Sequence, residues 1–331
     1  MLVNVKISER SLARNVSYFM LFLSLMFFFC IFDTKISYAS TVSSLTLPVV
    51  KQESASSDLS LLHSNLALDS NRWIQSFAKD SNYYYFVQMT DASNGNLRIT
   101  RIKYTNPGRY TKDHMDLKGF GHGTNLDVSV YNGKTYLWIG SCMNSKKRTT
   151  AISCFPFKKN AVYHKKAGNT SKITIGRSSA YASNVFPAIS SNGKYCFVRY
   201  TRGGKQYFQK YKIYSGNRIK GYKPLSKTKV SATVGDFQGF DVSGNYIYTI
   251  EGSPSASFLF TYDKSITYRP TIVRRINYKT GSKKSYTING AKSLTFREPE
   301  GIKIYKNGRK EIMFVSNTLS LQYCNIYRWK K

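Results

Sequence analysis

A hairpin pattern that occurs four times limits the folds open to this chain more than any other feature of its sequence. The fullest copy covers residues 119–140, GFGHGTNLDVSVYNGKTYLWIG. Leu126, Val128 and Val130 alternate with Asp127 and Ser129, Asn132-Gly133 suits a type I′ turn, and residues 136–139 form an aromatic and β-branched run. Looser copies lie at residues 185–200, 237–252 and 299–317. Aligning Gly123, Ala188, Gly239 and Gly301 gives spacings of 65, 51 and 62 residues. A supersecondary unit returning at that length, with almost no helical periodicity between copies, marks the blade of a β-propeller. Residues 72–88 and 97–104 supply one more unit, which lacks the glycine anchor. The expectation is therefore an all-β chain, a five-bladed β-propeller of four-stranded antiparallel blades over residues 71–331. An N-terminal strand is expected to complete the last sheet and protect its edge.

The N-terminus reads as an export signal over residues 1–39. Lys6, Arg10 and Arg14 precede an apolar run at 16–32, and Ser37-Tyr38-Ala39 offers a small-x-small cleavage site. Secretion to the exterior or the cell wall is expected, with membrane contact only through this segment. An uncleaved anchor is the alternative. Residues 40–70 read as a linker, with a short helix at 59–68. Cys142, Cys154, Cys196 and Cys324 would remain in the mature chain. Cys142 and Cys154 flank a polar loop between two strand-like runs and are the disulfide candidate, since an exported chain meets an oxidising medium.

Charge narrows the partner. The chain carries 50 Lys and Arg against 17 Asp and Glu, a formal net charge of +33. Between Asp127 and Asp236 there is no acidic residue, and the same stretch holds 21 Lys or Arg. One sector is expected to be cationic and to face an anionic partner. Arg199, Arg202, Lys205, Lys210, Lys212, Arg218 and Lys220 are interleaved with Tyr207 and Tyr211. Guanidinium groups suit bidentate phosphate contacts, and tyrosine offers a flat face with a hydroxyl. Strand alternation turns part of any such set into the core. No Walker loop, HExxH, Cys-x-x-Cys or serine elbow is present.

The repeat alignment places His122, Gln238 and Glu300 beside the anchor, with Phe186 in the third copy. Such positions line the mouth of a propeller's central channel. With Asp236, Asp241 and Glu298 nearby, His122 and Glu300 are the candidates for acid–base chemistry or for a divalent cation, the one cofactor considered. Satisfying backbone donors of neighbouring blades is the competing role for these side chains.

Several segments carry a family likeness. WIQSFAKD and YYYFVQ at 73–88, GHGTNLDVS at 121–129, QGFDVSGNYIYTIEG at 238–252 and REPEGIKI at 297–304 resemble the helveticin J-like class III bacteriocins. They are also similar to the β-propeller of teichoic acid biosynthesis protein C and of phage receptor-binding proteins. The third copy departs from the pattern, with Phe186-Pro187-Ala188 where its siblings have glycine. The resemblance implies a five-bladed propeller outside the cell that binds an anionic wall polymer, wall or lipoteichoic acid, on Gram-positive cells. It supplies no enzymatic reaction. A hydrolase acting on that polymer at the channel is the alternative. Nucleic-acid binding shares the charge argument and lacks the family likeness, so no specific nucleic acid is expected.

Overall fold

The computed structural model describes residues 57–68, 72–105, 113–174, 182–202, 205–230, 236–254, 270–318 and 321–331. Residues 1–39, expected above to be an export signal, and residues 40–56 of the expected linker lie outside them. Contacts divide the chain into Met1–Thr46 and Leu47–Lys331, and every described residue falls in the second unit.

Strand β1 (Leu59–Leu66) precedes five sheets. The first blade holds β2 (Trp73–Lys79), β3 (Tyr83–Asp91), β4 (Asn96–Lys103) and β5 (His114–Lys118). The second holds β6 (Leu126–Tyr131), β7 (Lys134–Ser141), β8 (Ala151–Pro156), β9 (Val162–His164) and β10 (Asn169–Lys172). The third holds β11 (Ser183–Ile189), β12 (Tyr195–Arg202), β13 (Lys205–Lys212) and β14 (Ser226–Val230). The fourth holds β15 (Phe237–Ser243), β16 (Tyr246–Glu251), β17 (Thr271–Asn277) and β18 (Lys283–Ile288). The last holds β19 (Glu298–Ile304), β20 (Lys310–Thr318) and β21 (Leu321–Trp329). Its sheet runs β1-β21-β20-β19, so β1 is its outer strand. The ring is thus closed by joining the two ends of the described chain, which removes an open edge. Short β9 leaves its own blade and pairs in parallel with β5, so the first sheet has a fifth strand.

Two expectations are corrected here. Residues 59–66 are a strand rather than a helix, because Leu59 pairs with Trp329 and Leu66 with Cys324, and both leucines enter inter-blade cores. Cys142 and Cys154 are free thiols. The register of β7 and β8 sets Ser141 against Ala151 and Trp138 against Cys154, so Cys142 falls beside Thr150 and the two sulfurs are staggered along the hairpin.

Each gap between blades is filled by its own apolar cluster. Val87, Leu97 and Ile99 of the first blade meet Leu126, Leu137 and Ile139 of the second. Trp138 and Cys154 meet Val185 and Val198, Phe208 meets Phe240, Val273 meets Ile302, and Phe77 meets Met313 and Ile326. A blade therefore buries both faces. Each fully enclosed Phe or Leu contributes roughly 1.5–3 kcal/mol relative to exposure.

The inner strands β2, β6, β11, β15 and β19 surround the axis. Gly239 and Gly301 lie there at φ 139° and 132°. A Cβ on Gly239 would stand 3.1 Å from Asn125 Oδ1 and 3.4 Å from the Gly301 Cα, so this convergence needs glycine. Asn125, itself buried, donates through Nδ2 to Pro187 O at 2.6 Å and accepts from Phe240 N at 3.1 Å. One side chain thereby ties blades two, three and four together.

Two aspartates show the true register of the repeat. Asp127 accepts from Val128 N and from Ile189 N of the next blade, at 2.8 and 2.6 Å. Asp241 accepts from Val242 N and from Ile304 N of its next blade, at 2.7 and 2.6 Å. Asp127 is hence the counterpart of Asp241, and Thr124 rather than His122 is the counterpart of Gln238. By the same contacts Ile189 matches Ile304, so Val185 rather than Phe186 matches Glu300.

Candidate functional site

At the entry of the inner strands, Gln238 Nε2 donates to Gly252 O at 3.2 Å and to Glu298 Oε1 at 3.0 Å. Burial pushes the Glu298 carboxyl up to about 7, with the charge of Asp236 adding to the rise and the Gln238 bond opposing it. Glu300 is fully enclosed. Burial, then the charge of Glu298, pushes its pKa well above the usual carboxylate range, and its Oε2 has no hydrogen-bond partner among the described residues. His122 is exposed to water but crowded by protein, and that desolvation pushes its pKa down. A protonated carboxyl donates a hydrogen bond and is a poor cation ligand. Among the described residues no three His, Cys, Asp or Glu side chains are grouped to hold a metal ion.

One layer further in, Lys303 Nζ lies 3.4 Å from Asp127 Oδ1. Lys303, Asp127 and Asp241 are all buried. Burial pushes the Asp241 carboxyl up while the Lys303 charge draws it back. This layer and Asn125 occupy the axis with structural side chains.

The basic and aromatic residues of the third blade divide into three groups. Arg199 and Tyr211 are core residues, contrary to the expectation that they meet a partner. The Arg199 guanidinium lies 4.0 Å from the Phe237 ring centre and 5.6 Å from that of Phe186, and its Nε donates to Gln206 Oε1 at 3.0 Å. The Tyr211 hydroxyl bonds to Gln209 Oε1 at 2.6 Å and to Gly221 O at 3.1 Å. Both are enclosed because the two faces of a blade pack on neighbours.

A second group is half-buried. Tyr207 stacks on Tyr200 at 5.3 Å between centres, with Lys227 Nζ 4.8 Å from its ring. Lys210 Nζ lies 4.0 Å from the Tyr195 ring and 3.2 Å from the Tyr278 hydroxyl, wedged between blades three and four.

The third group is exposed, and it lies at both ends of the blade. Arg202 and Lys205 stand at one end; Lys212, Arg218 and Lys220 belong to the other. Along β13, Lys205 and Lys212 are separated by roughly 23 Å at the rise of a strand. These cations therefore do not form one patch.

The second end is the better built. Lys212 Nζ and Lys220 Nζ lie 5.6 and 5.3 Å from the Tyr214 ring centre. Tyr214 and Arg218 exchange backbone hydrogen bonds around a tight turn, with Gly216 at φ 72° and Asn217 at φ 55°. Blade two holds this loop in place. Ser171 Oγ donates to Ile219 O at 2.8 Å, Ser129 Oγ donates to Asn217 Oδ1 at 3.3 Å, and the Tyr131 and Ser215 hydroxyls pair at 3.1 Å. Tyr214 and Tyr222 are 37% and 67% exposed, which leaves flat faces beside ammonium and guanidinium groups. Such a combination suits phosphate and polyol chemistry.

Most described carboxylates are wholly or partly buried. Among the described residues Asp236 is the single exposed one, and it accepts from Ser253 Oγ at 2.6 Å. Asp116 and Asp113 are paired with Arg98 and Arg101 at 2.8 and 2.7 Å. Glu251 is paired with Arg274 at 3.3 Å, and Glu311 with Arg309 at 2.9 Å.

The family of phage five-bladed β-propeller receptor-binding platform domains matches this chain over residues 73–320. The chain belongs to that family. The platform propeller is 25% identical over 229 residues to the putative major teichoic acid biosynthesis protein C of Bacillus subtilis (strain 168), an overlap of 65% of this chain and 48% of that protein. It also shares its fold with the tail fibre of Staphylococcus aureus phage P68, with a TM-score of 0.55 and 16% identity, over 82% of this chain and 52% of the fibre. The chain thus spans about half the length of these relatives.

Two buried cations of the platform propeller escaped sequence reasoning. Arg297, at φ 43°, donates to Gly290 O at 2.9 Å, Thr271 Oγ1 at 3.0 Å and Ile288 O at 3.1 Å. Lys303 sits in an apolar alternation, Ile302 and Ile304, and its one signal was being the lone cation in that strand's buried stretch.

Proposed function

We propose that this propeller is a secreted protein that attaches to the teichoic acid of Gram-positive walls through its basic, tyrosine-bearing surface, as a helveticin-like bacteriocin or a wall-associated relative would. The observation that carries the reading is the unequal fate of the two charges. Of the twelve described carboxylates five are buried and one is exposed, whereas Lys212, Arg218, Lys220, Lys223 and their like face water. Such a surface displaces counterions from a polyphosphate, and the gain shrinks as salt rises. The family's receptor-binding character and the teichoic acid-related relative support the choice of polymer.

Competition between purified wall teichoic acid and duplex DNA, at matched phosphate and salt, tests it. Tighter retention of teichoic acid is expected. Equal or tighter retention of DNA contradicts the reading, and soluble phosphodiester fragments released from the polymer would assign hydrolysis instead.

A further inference from the structure

Where β1 closes the ring, at the end of the last blade that carries its first hairpin turn, the surface forms a depression of about 680 Å³. Ser60 enters it from β1, Arg309 and Lys310 from the start of β20, and Arg328 and Lys330 from the end of β21, with Trp329 beneath. The register sets Ser60 and Glu311 on either side of Arg328, and Lys310 opposite Trp329. Neighbouring strands lie about 4.8 Å apart and alternate residues share a face, so Ser60, Arg328 and Lys330 stand on one side of the sheet and Lys310 with Trp329 on the other, the two sides meeting at the rim of the depression.

Their charge is poorly answered by the protein. Arg309 is held at 2.9 Å by Glu311, whose carboxylate also accepts from the Tyr84 and Tyr305 hydroxyls at 3.0 and 2.9 Å. Asp58 is taken by Lys331 at 2.7 Å. Lys330 Nζ donates only to a neutral carbonyl, Ser57 O, at 3.1 Å. Among the described residues, Lys310 and Arg328 have no ion pair. Burial, then the charge of Arg275, pushes the Lys310 pKa down, and its Nζ lies 5.6 Å from the Trp329 ring centre.

We propose that this seam pocket is a phosphate site, and that its occupation fastens the closing strand to the last blade. Arg328 supplies a planar fork for two phosphate oxygens, Lys330 flanks it, and the Ser60 hydroxyl donates from β1. A ligand bridging β1 to β21 stabilises the closed ring by mass action. The identification of the phosphate as part of a wall polymer rests on the function proposed above; the site itself rests on the pocket.

The test titrates the full chain with inorganic phosphate and with glycerol 3-phosphate, using glycerol and sodium chloride at matched ionic strength as blanks, by calorimetry and thermal melting. Saturable binding and a rising melting temperature are expected with both phosphates and with neither blank. Tighter binding of glycerol 3-phosphate points to a polymer unit, and tighter binding of inorganic phosphate to the free ion; both orders support the site. The exposed-residue variant Arg328→Gln/Lys330→Gln should melt normally without phosphate and bind about tenfold more weakly or worse, whereas Lys134→Gln/Lys194→Gln, exposed lysines outside both basic clusters, should bind as the parent does. Non-saturating heats, or unchanged affinity in Arg328→Gln/Lys330→Gln, overturn the proposal. A protein that adsorbs to walls yet shows no saturable phosphate site defeats the pocket alone. One that binds phosphate yet ignores teichoic acid on walls defeats the functional reading alone.

Discussion

Lys303, on the inner strand of the last blade, reaches Asp127 on that of the second blade, Nζ to Oδ1 at 3.4 Å. The two blades are not neighbours in the ring, so the pair spans the axis where Asp241 also lies. Removing the cation would leave two carboxyl groups buried together. Lys303→Met is expected to destabilise the fold by about 3–5 kcal/mol, read as a lower urea midpoint with unchanged slope. Asp127→Asn combined with Lys303→Met should cost less than the two single changes added. Additivity within about 0.5 kcal/mol would show that the ion pair carries no coupling.

Asn125 predicts a more local effect. Asn125→Ala orphans Pro187 O and Phe240 N, and about 1–3 kcal/mol is lost for each buried group left without a partner. The Phe240 amide should lose hydrogen-exchange protection before its neighbours in β15 do. Unchanged protection would mean that water takes over both bonds.

Glu298 gives the fold a pH dependence of unusual sign. Its carboxyl stands at about 7 in the fold against 4.5 in the free side chain, so the folded state favours the protonated form. That contribution is complete below about pH 4.5 and is lost as pH rises through about 7. Asp91 acts in the opposite sense and at lower pH. Bonds from Ser93 and Asn94 hold it at about 2, so its contribution fades only as pH falls from 3.8 towards that value. Melting temperature should therefore decline between about pH 5 and pH 8, and Glu298→Gln should flatten the decline. A variant with the parent's slope would place the dependence elsewhere.

The thiols predict a labelling pattern. Cys154, Cys196 and Cys324 are buried, and burial pushes all three pKa values up. Cys142 is half-exposed. Among the four described cysteines, native protein should take up an alkylating group at Cys142, and the other three should react only after unfolding. Non-reducing peptide mapping checks the pairing: a linked Cys142–Cys154 peptide would restore that disulfide.

The parts of this fold legible in the sequence are those set by short-range chemistry. Asn132 and Gly133 take φ 49° and 71°, as a type I′ turn requires, and the alternation on either side placed β6 and β7. Leu59 to Leu66 misled because its leucines suit a helix, and only pairing with β21, some 260 residues away, makes it a strand. Arg199 and Tyr211 misled for a related reason. Alternation identifies two faces, but in a blade packed on both sides neither face is the outer one. The axis was hidden as well, since His122 and Gln238 follow similar glycine patterns and only the shared contacts of Asp127 and Asp241 reveal the two-residue offset.

Adsorption to purified Gram-positive walls, measured before and after chemical removal of teichoic acid across a salt series, tests attachment to the polymer most directly. Intact walls should bind the chain with an affinity that falls steeply with salt, stripped walls should bind little, and Lys212→Gln/Arg218→Gln/Lys220→Gln should weaken the former. Equal, salt-independent adsorption to intact and stripped walls would contradict it.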